Sequence, residues 1–189
     1  ILNNISLTLE PGKIYGLVGS NGSGKTMLMK CICGFVHPTE GEIKTDGRRV
    51  GKDVDYLPNA GIIIETPGFL NNYSGYNNLK FLAGINKKIG REQIREAISF
   101  VGLDPDSKKH VGRYSQIGRA SCMENPDILL LDEPMNGLDK HGVKEMRELF
   151  KSLAQQGKTI IMANHSAEDI EVLCDTVCEM DLGVLTRVK

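Results

Sequence analysis

Residues 19–26 read Gly-Ser-Asn-Gly-Ser-Gly-Lys-Thr and follow directly on the apolar run Ile14-Tyr15-Gly16-Leu17-Val18. The pattern G-x-x-x-x-G-K-[ST] after a strand and before a helix is a phosphate-binding loop. Gly22 and Gly24 let the backbone curl so that successive amides face inward as an anion nest. A helix opening at Lys25 adds its positive N-terminal end. Gly19 through Thr26, with Met27 following, are therefore the candidate nucleotide-binding residues. Lys25 is placed to reach the β- and γ-phosphates, and the Thr26 hydroxyl to ligate Mg²⁺. Such a loop demands a parallel sheet with crossover helices, and the rest of the chain must supply them.

The chain does supply them. Ile128-Leu129-Leu130-Leu131 and Thr159–Ala163 are wholly apolar runs, as expected of parallel strands covered on both faces. Helices are predicted over Met27–Cys33, Ser74–Gly84, Arg91–Val101, Ile117–Glu124, Lys140–Gln155 and Glu168–Cys174. Ser6–Glu10 alternates up to the Pro11-Gly12 turn and predicts a strand paired with 14–18. Further strands are predicted at Gly61–Glu65, Thr176–Met180 and Val184–Val188. Asp46-Gly47 predicts a hairpin between Glu42–Thr45 and Arg48–Val50. The expected fold is α/β: a P-loop NTPase core with a mostly parallel sheet, an N-terminal antiparallel β piece and an inserted helical subdomain over 66–124. All of 1–189 is read as one domain, which its length permits.

Asp132-Glu133-Pro134 closes the apolar strand at 128–131. Asp132 is expected to hold Mg²⁺, and Glu133 to orient or deprotonate a water facing the γ-phosphate. His165 follows the strand 159–163 on the same sheet edge, where it is placed to contact the γ-phosphate. Charge narrows the remaining classes. The net charge is −1, with 25% charged residues, which argues against a general nucleic-acid surface. No apolar run approaches the roughly 18 residues that span a bilayer, and the opening Ile1-Leu2-Asn3-Asn4 shows no secretory leader. Five cysteines, an odd number, suggest reduced thiols in a cytosol. Cys31-x-Cys33, and Cys174 with Cys178 four apart on a predicted helix, raise a metal site; small buried hydrophobes are the better reading. A base-reading N-K-x-D segment is absent, which disfavours GTPases.

The phosphate loop at 19–26, the acidic strand end at 128–134, Gly137-Leu138-Asp139 and His165 occur in an order and spacing that resemble the nucleotide-binding subunit of an ATP-binding cassette (ABC) transporter. Ile62–Phe69 looks like the lid segment, with Glu65 where the family usually carries Gln. That exchange, with Asn125-Pro126-Asp127 and Asp132 to Asp139, is similar to the bacterial exporters of bacitracin and lantibiotic peptides. The resemblance implies ATP and Mg²⁺, hydrolysis coupled to transport, and a bacterial location on the cytoplasmic face of the plasma membrane. It implies two partners: a second ATPase subunit, closing head to tail, and a membrane-spanning permease whose coupling helices sit near Glu65 and residues 66–80. No nucleic acid partner is expected. Lys25, Glu133 and His165 carry over as catalytic residues, Thr26, Asp132 and Glu65 as metal ligands, and Gly137, Leu138 and Asp139 as the D-loop. A soluble cassette ATPase, and a nucleotide-binding regulatory module without hydrolysis, remain the alternatives.

Two departures stand out. The family's adenine-stacking aromatic precedes the point where this sequence starts. In the signature segment, Arg113-Tyr114-Ser115-Gln116-Ile117-Gly118-Arg119-Ala120, Ser115 fits the signature serine acting in trans but the two glycines after it are missing. Ser115 to Pro126 is about six residues shorter than the family pattern, more than one helical turn. Either a signature loop is missing from the sequence as written, or a working signature has been lost; the intact acidic strand that follows favours the first.

Overall fold

The computed structural model describes residues 1–64, 70, 72–86, 89–100, 104–109 and 125–189. In chain order the elements are β1 (Ile14–Val18), α1 (Lys25–Cys33), β2 (Lys44–Thr45), β3 (Arg48–Arg49), β4 (Ala60–Ile63), α2 (Gly75–Asn86) and α3 (Arg91–Phe100). They continue with β5 (Ile128–Asp132), α4 (Lys140–Gln155), β6 (Thr159–Ala163), α5 (Ala167–Leu173), β7 (Thr176–Asp181) and β8 (Val184–Arg187). Six strands form one sheet in the order β4-β5-β6-β1-β7-β8, and β2 pairs with β3 in a separate hairpin. All neighbours in the large sheet are parallel except β7 and β8.

The period-2 alternation of strand side chains divides the core into two layers. Leu129, Leu131, Ile160 and Met162 face Met146 and Phe150 of α4 and Ile170 and Leu173 of α5. Leu130, Ile161, Tyr15 and Leu17 face Leu28, Met29 and Cys33 of α1. Leu17, Leu130, Ile160 and Ile161 are fully buried, each worth roughly 1.5–3 kcal/mol over an exposed side chain. Gly16 lets α5 come close: a Cβ there would lie 2.8 Å from Cys174 Sγ and 2.9 Å from Ile170 Cδ1.

Helix boundaries follow local chemistry. Gly34, at φ 85°, ends α1 in the left-handed region and donates to the carbonyl of Cys31. Ser74 Oγ accepts from the Asn77 amide at 3.3 Å at the head of α2. Asp139 caps α4 by accepting from the Gly142 amide at 2.8 Å.

Three expectations need comment. Ser6–Glu10 forms no strand: Leu7 and Leu9 pack on the core layer that holds α1, and the Glu10 amide donates to the Tyr15 hydroxyl at 2.7 Å instead of to a ladder partner. The antiparallel element of that part of the chain is the 44–49 hairpin. Cys174 and Cys178 do not share a helix. Helix α5 stops at Leu173, the Asp175 carboxylate accepts from the Ile14 amide at 2.8 Å at the turn into β7, and Cys178 lies on that strand. Cys31, Cys33, Cys174 and Cys178 are free and buried, with burial pushing the Cys33 and Cys174 thiols up to about 12. The expected helix at 117–124, Cys122 and the lid segment from Glu65 to Phe69 lie outside the described residues.

Candidate functional site

Adjacent parallel strands β5, β6 and β1 end on one edge of the sheet, and each is followed directly by polar residues. That edge is where open α/β sheets bind ligands. β1 runs into the loop at 19–24, β5 into Asp132 and Glu133, and β6 into Asn164 and His165.

The loop is held in a conformation only glycine tolerates at two points. Gly19 has φ 144°, and a Cβ there would lie 2.2 Å from the carbonyl oxygen of Met180 in β7. Gly24, φ 116°, is the residue before α1, whose first turn carries no side-chain cap, so its opening amides are left for a ligand. Gly22, at φ 79°, has open space where a Cβ would be. Lys25 is buried at 7% exposure, and its Nζ donates to the carbonyls of Gly19 at 2.7 Å and Ser20 at 3.0 Å. The ammonium thus spans the mouth of the loop. Ser20 and Asn21 are exposed at its rim, and Met27 is half-buried on α1. Ser23 is buried, and its Oγ has no partner among the described residues. A buried hydroxyl left unsatisfied is costly, and one beside a nest of amides is satisfied by an anion.

Opposite the loop, Thr26 Oγ1 donates to Asp132 Oδ2 at 3.0 Å, joining the head of α1 to the end of β5. Among the described residues no cluster of three or more His, Cys, Asp or Glu could hold a metal alone. A hydroxyl and a carboxylate together are an oxygen pair suited to Mg²⁺, which keeps waters and takes its remaining ligands from a substrate's phosphates.

Glu133 adopts φ 50°, a left-handed backbone that costs a non-glycine residue about 1–3 kcal/mol and clusters at functional sites. Its amide donates to the Ala163 carbonyl at 2.9 Å, which ties the end of β5 to β6. Its carboxylate Oε1 lies 3.1 Å from His165 Nε2. Burial pushes the Glu133 carboxyl above the usual range and the neighbouring Asp132 adds to this, while His165 draws it back. A raised carboxyl beside a phosphate loop is placed to accept a proton.

The structure therefore brings Lys25, Thr26, Asp132, Glu133 and His165 to one edge. Gly137, at φ 74°, Leu138 and Asp139 follow Glu133 closely, with Leu138 packed against the core and the Asp139 carboxylate spent on capping α4. Glu65 and Ser115 lie outside the described residues. Beside His165 lies a hydrogen-bonded group that the sequence pattern did not single out: buried Asn164 and Asp169, with half-buried Arg147. Only the Ser166-x-x-Asp169 capping spacing hints at it locally; Arg147 is distant in sequence.

Residues 2–136 match the ABC transporter family. The chain belongs to that family. It is 42% identical to the uncharacterized ABC transporter ATP-binding protein YybJ of Bacillus subtilis, covering 98% of this chain and 88% of YybJ. It is 37% identical to the bacitracin transport ATP-binding protein BcrA of Enterococcus faecalis, covering 99% of this chain but only 63% of BcrA. The fold superposes with TM-score 0.84 on the dimeric post-hydrolysis state of the ATP-binding cassette MJ0796 bound to ADP and Pi, at 18% identity, covering 100% of this chain and 90% of that one. The P-loop core with its mixed, mostly parallel sheet is the ABC ATPase fold, and the chain is an ABC transporter ATP-binding protein. Among the described residues no helix is long and apolar enough to cross a membrane.

Proposed function

We propose that this ABC protein hydrolyses Mg-ATP to drive a bacterial transport complex that exports, or protects against, a peptide antibiotic. The observation that carries the reading is the meeting of the Lys25 loop, the Thr26–Asp132 pair and the Glu133–His165 pair at three adjacent strand ends. BcrA, named for bacitracin transport, supports the class of cargo.

In this reading the amides of residues 19–24 and the head of α1 take the β- and γ-phosphates. Lys25 leaves its two carbonyls and turns its charge to the same oxygens. His165 holds the γ-phosphate from the β6 side, and Glu133 accepts the proton of the attacking water. Thr26 and Asp132 would hold Mg²⁺, which would offset charge on the phosphate oxygens. Positioning and electrostatics of this kind supply most of the catalysis in phosphoryl transfer. Two subunits close head to tail around ATP, with Ser115 of each completing the other's site; the MJ0796 cassette, which shares the fold, is dimeric. ATP favours closure by its greater affinity for the closed state.

The permease docks near residues 66–80, within a helical subdomain spanning 66–124. Exposed Leu70, Tyr73, Phe81 and Leu82 support this placement, with the Tyr73 and Phe81 rings edge to face at 5.3 Å. The protein then works peripherally, on the cytoplasmic face of the membrane. Glu65 senses Mg²⁺ and links the site to the permease. The test is ATP hydrolysis by the full-length protein with its co-expressed permease. Mg-dependent turnover that rises on reconstitution in vesicles supports the proposal; no turnover in any preparation that binds ATP would leave a non-hydrolysing regulatory module instead.

A further inference from the structure

His165 sits in an irregular turn between β6 and α5 and is 52% exposed at its side chain, with Glu133 as its side-chain contact. Something other than packing of the imidazole must hold that turn. Asn164, only 4% exposed, brackets the histidine: its Oδ1 accepts from the Ser166 amide at 2.9 Å, and its Nδ2 donates to Asp169 Oδ2 at 3.0 Å. Asp169 is equally buried, and Arg147 of α4 grips its other oxygen, with Nε at 2.8 Å and a terminal nitrogen at 2.6 Å. The third nitrogen of the guanidinium reaches exposed Glu168 at 2.9 Å.

The arrangement departs from the usual one at a helix start. Ser166 Oγ accepts from the Asp169 amide at 3.2 Å, the first half of a capping box. In the second half, the acid three residues on would reach back to the Ser166 amide. Here Asn164 has taken that amide, and the Asp169 carboxylate is turned to Arg147 and Asn164. Of the two bonding patterns open to such a turn, the one formed here has the Asp169 carboxylate on Arg147. Without its cation, Asp169 would be a buried carboxylate short of partners, and the Ser166 amide would be its nearest remedy, at the expense of Asn164.

We propose that Arg147, Asp169 and Asn164 are positioning residues for His165, coupling its turn to helix α4 and hence to Gly137-Leu138-Asp139 at that helix's head. The inference rests on the nucleotide role given to His165 above. A displacement of the 137–139 segment carries α4 with it, and Arg147, two turns into α4, passes the movement to Asp169, Asn164 and the histidine.

The test uses full-length protein with Arg147→Met, Arg147→Lys and Asp169→Asn, each made alone and with His165→Ala. Hydrogen exchange of the nucleotide-free protein should quicken at the amides of residues 165–169 in Arg147→Met while residues 19–26 stay as in wild type. Arg147→Met should lower kcat about tenfold, as a small misplacement does, with KM for ATP within about threefold. Arg147→Lys keeps the charge but loses the fork, so it should fall between. With His165→Ala present, Arg147→Met should change kcat by less than about twofold, since the route it serves is gone. Unchanged exchange at 165–169, or the same loss of kcat in both backgrounds, would overturn the proposal. A His165→Ala protein as active as wild type would instead refute the nucleotide role of His165, and the exchange result would still report whether Arg147 holds the turn.

Discussion

Replacing Glu133 with Gln separates chemistry from binding and stability in one substitution. Glutamine is isosteric, so it inherits the left-handed backbone at residue 133 and the amide bond to Ala163. It loses only the charge and the ability to take a proton. A positioned general base contributes about 10²–10⁴ in rate, equivalent to about 2.7–5.4 kcal/mol of barrier. The variant should lose at least about a hundredfold in kcat while its affinity for ATP stays the same or tightens, because a negative charge beside Asp132 has gone. Stability should move the other way. Burial raises the folded carboxyl above its unfolded value. Between those two values the folded state holds more protons than the unfolded state, so stability falls as pH rises through that window, and the deficit persists above it. The neutral amide carries no such deficit. The nucleotide-free variant should therefore melt higher than wild type at pH 8, with the advantage shrinking as pH falls through the folded carboxyl's range. The contact with half-exposed His165, which the variant alters, adds little against this. Steady-state ATPase kinetics, nucleotide titration and thermal melts across pH provide the three readouts. Turnover within about twofold of wild type would refute Glu133 as the base, and a lower Tm at pH 8 would refute the assignment of its raised carboxyl to burial.

Gly19→Ala forces a Cβ to 2.2 Å from the Met180 carbonyl in a backbone region closed to alanine, so loop and β7 must part. It should cost at least about 2 kcal/mol, seen as a Tm lower by about 4–8 °C, and should abolish ATP binding. Asp139→Ala removes the cap of α4 and should lower stability by about 1 kcal/mol. Glu65→Gln should change the Mg²⁺ dependence of ATPase activity or its coupling to transport; if both stay at wild-type values, Glu65 does not sense the metal.

The phosphate loop was legible because its geometry is written in residue types: Gly19 and Gly24 occupy conformations that other residues cannot, and Lys25 and Thr26 follow at fixed offsets. The doubly buried strands were legible for a similar reason, since Leu129, Leu130 and Leu131 feed both core layers and leave no polar position. Helix α4 was read with its limits intact, ahead of Gly157, and the structure adds its Asp139 cap. What failed depended on partners distant in sequence. Alternation in Ser6–Glu10 specifies a face but not a neighbour, and the Tyr15 hydroxyl takes the Glu10 amide. The spacing of Cys174 and Cys178 fits a helix, yet that helix stops at Leu173 and Cys178 lies on β7, where a strand was also expected, with the bond from Ile14 to Asp175, 161 residues apart, at the junction. Arg147 and Asp169 meet only because α4 and α5 pack on the same face of the sheet, and no local pattern announces that contact.

The central claim is that the loop around Lys25 grips a triphosphate. Titrating nucleotide-free full-length protein with a non-hydrolysable ATP analogue and Mg²⁺, beside the same protein carrying Lys25→Met, tests it directly. Saturable binding that weakens at least about tenfold in the variant is predicted; no saturable binding, or equal affinity in the two proteins, would contradict it.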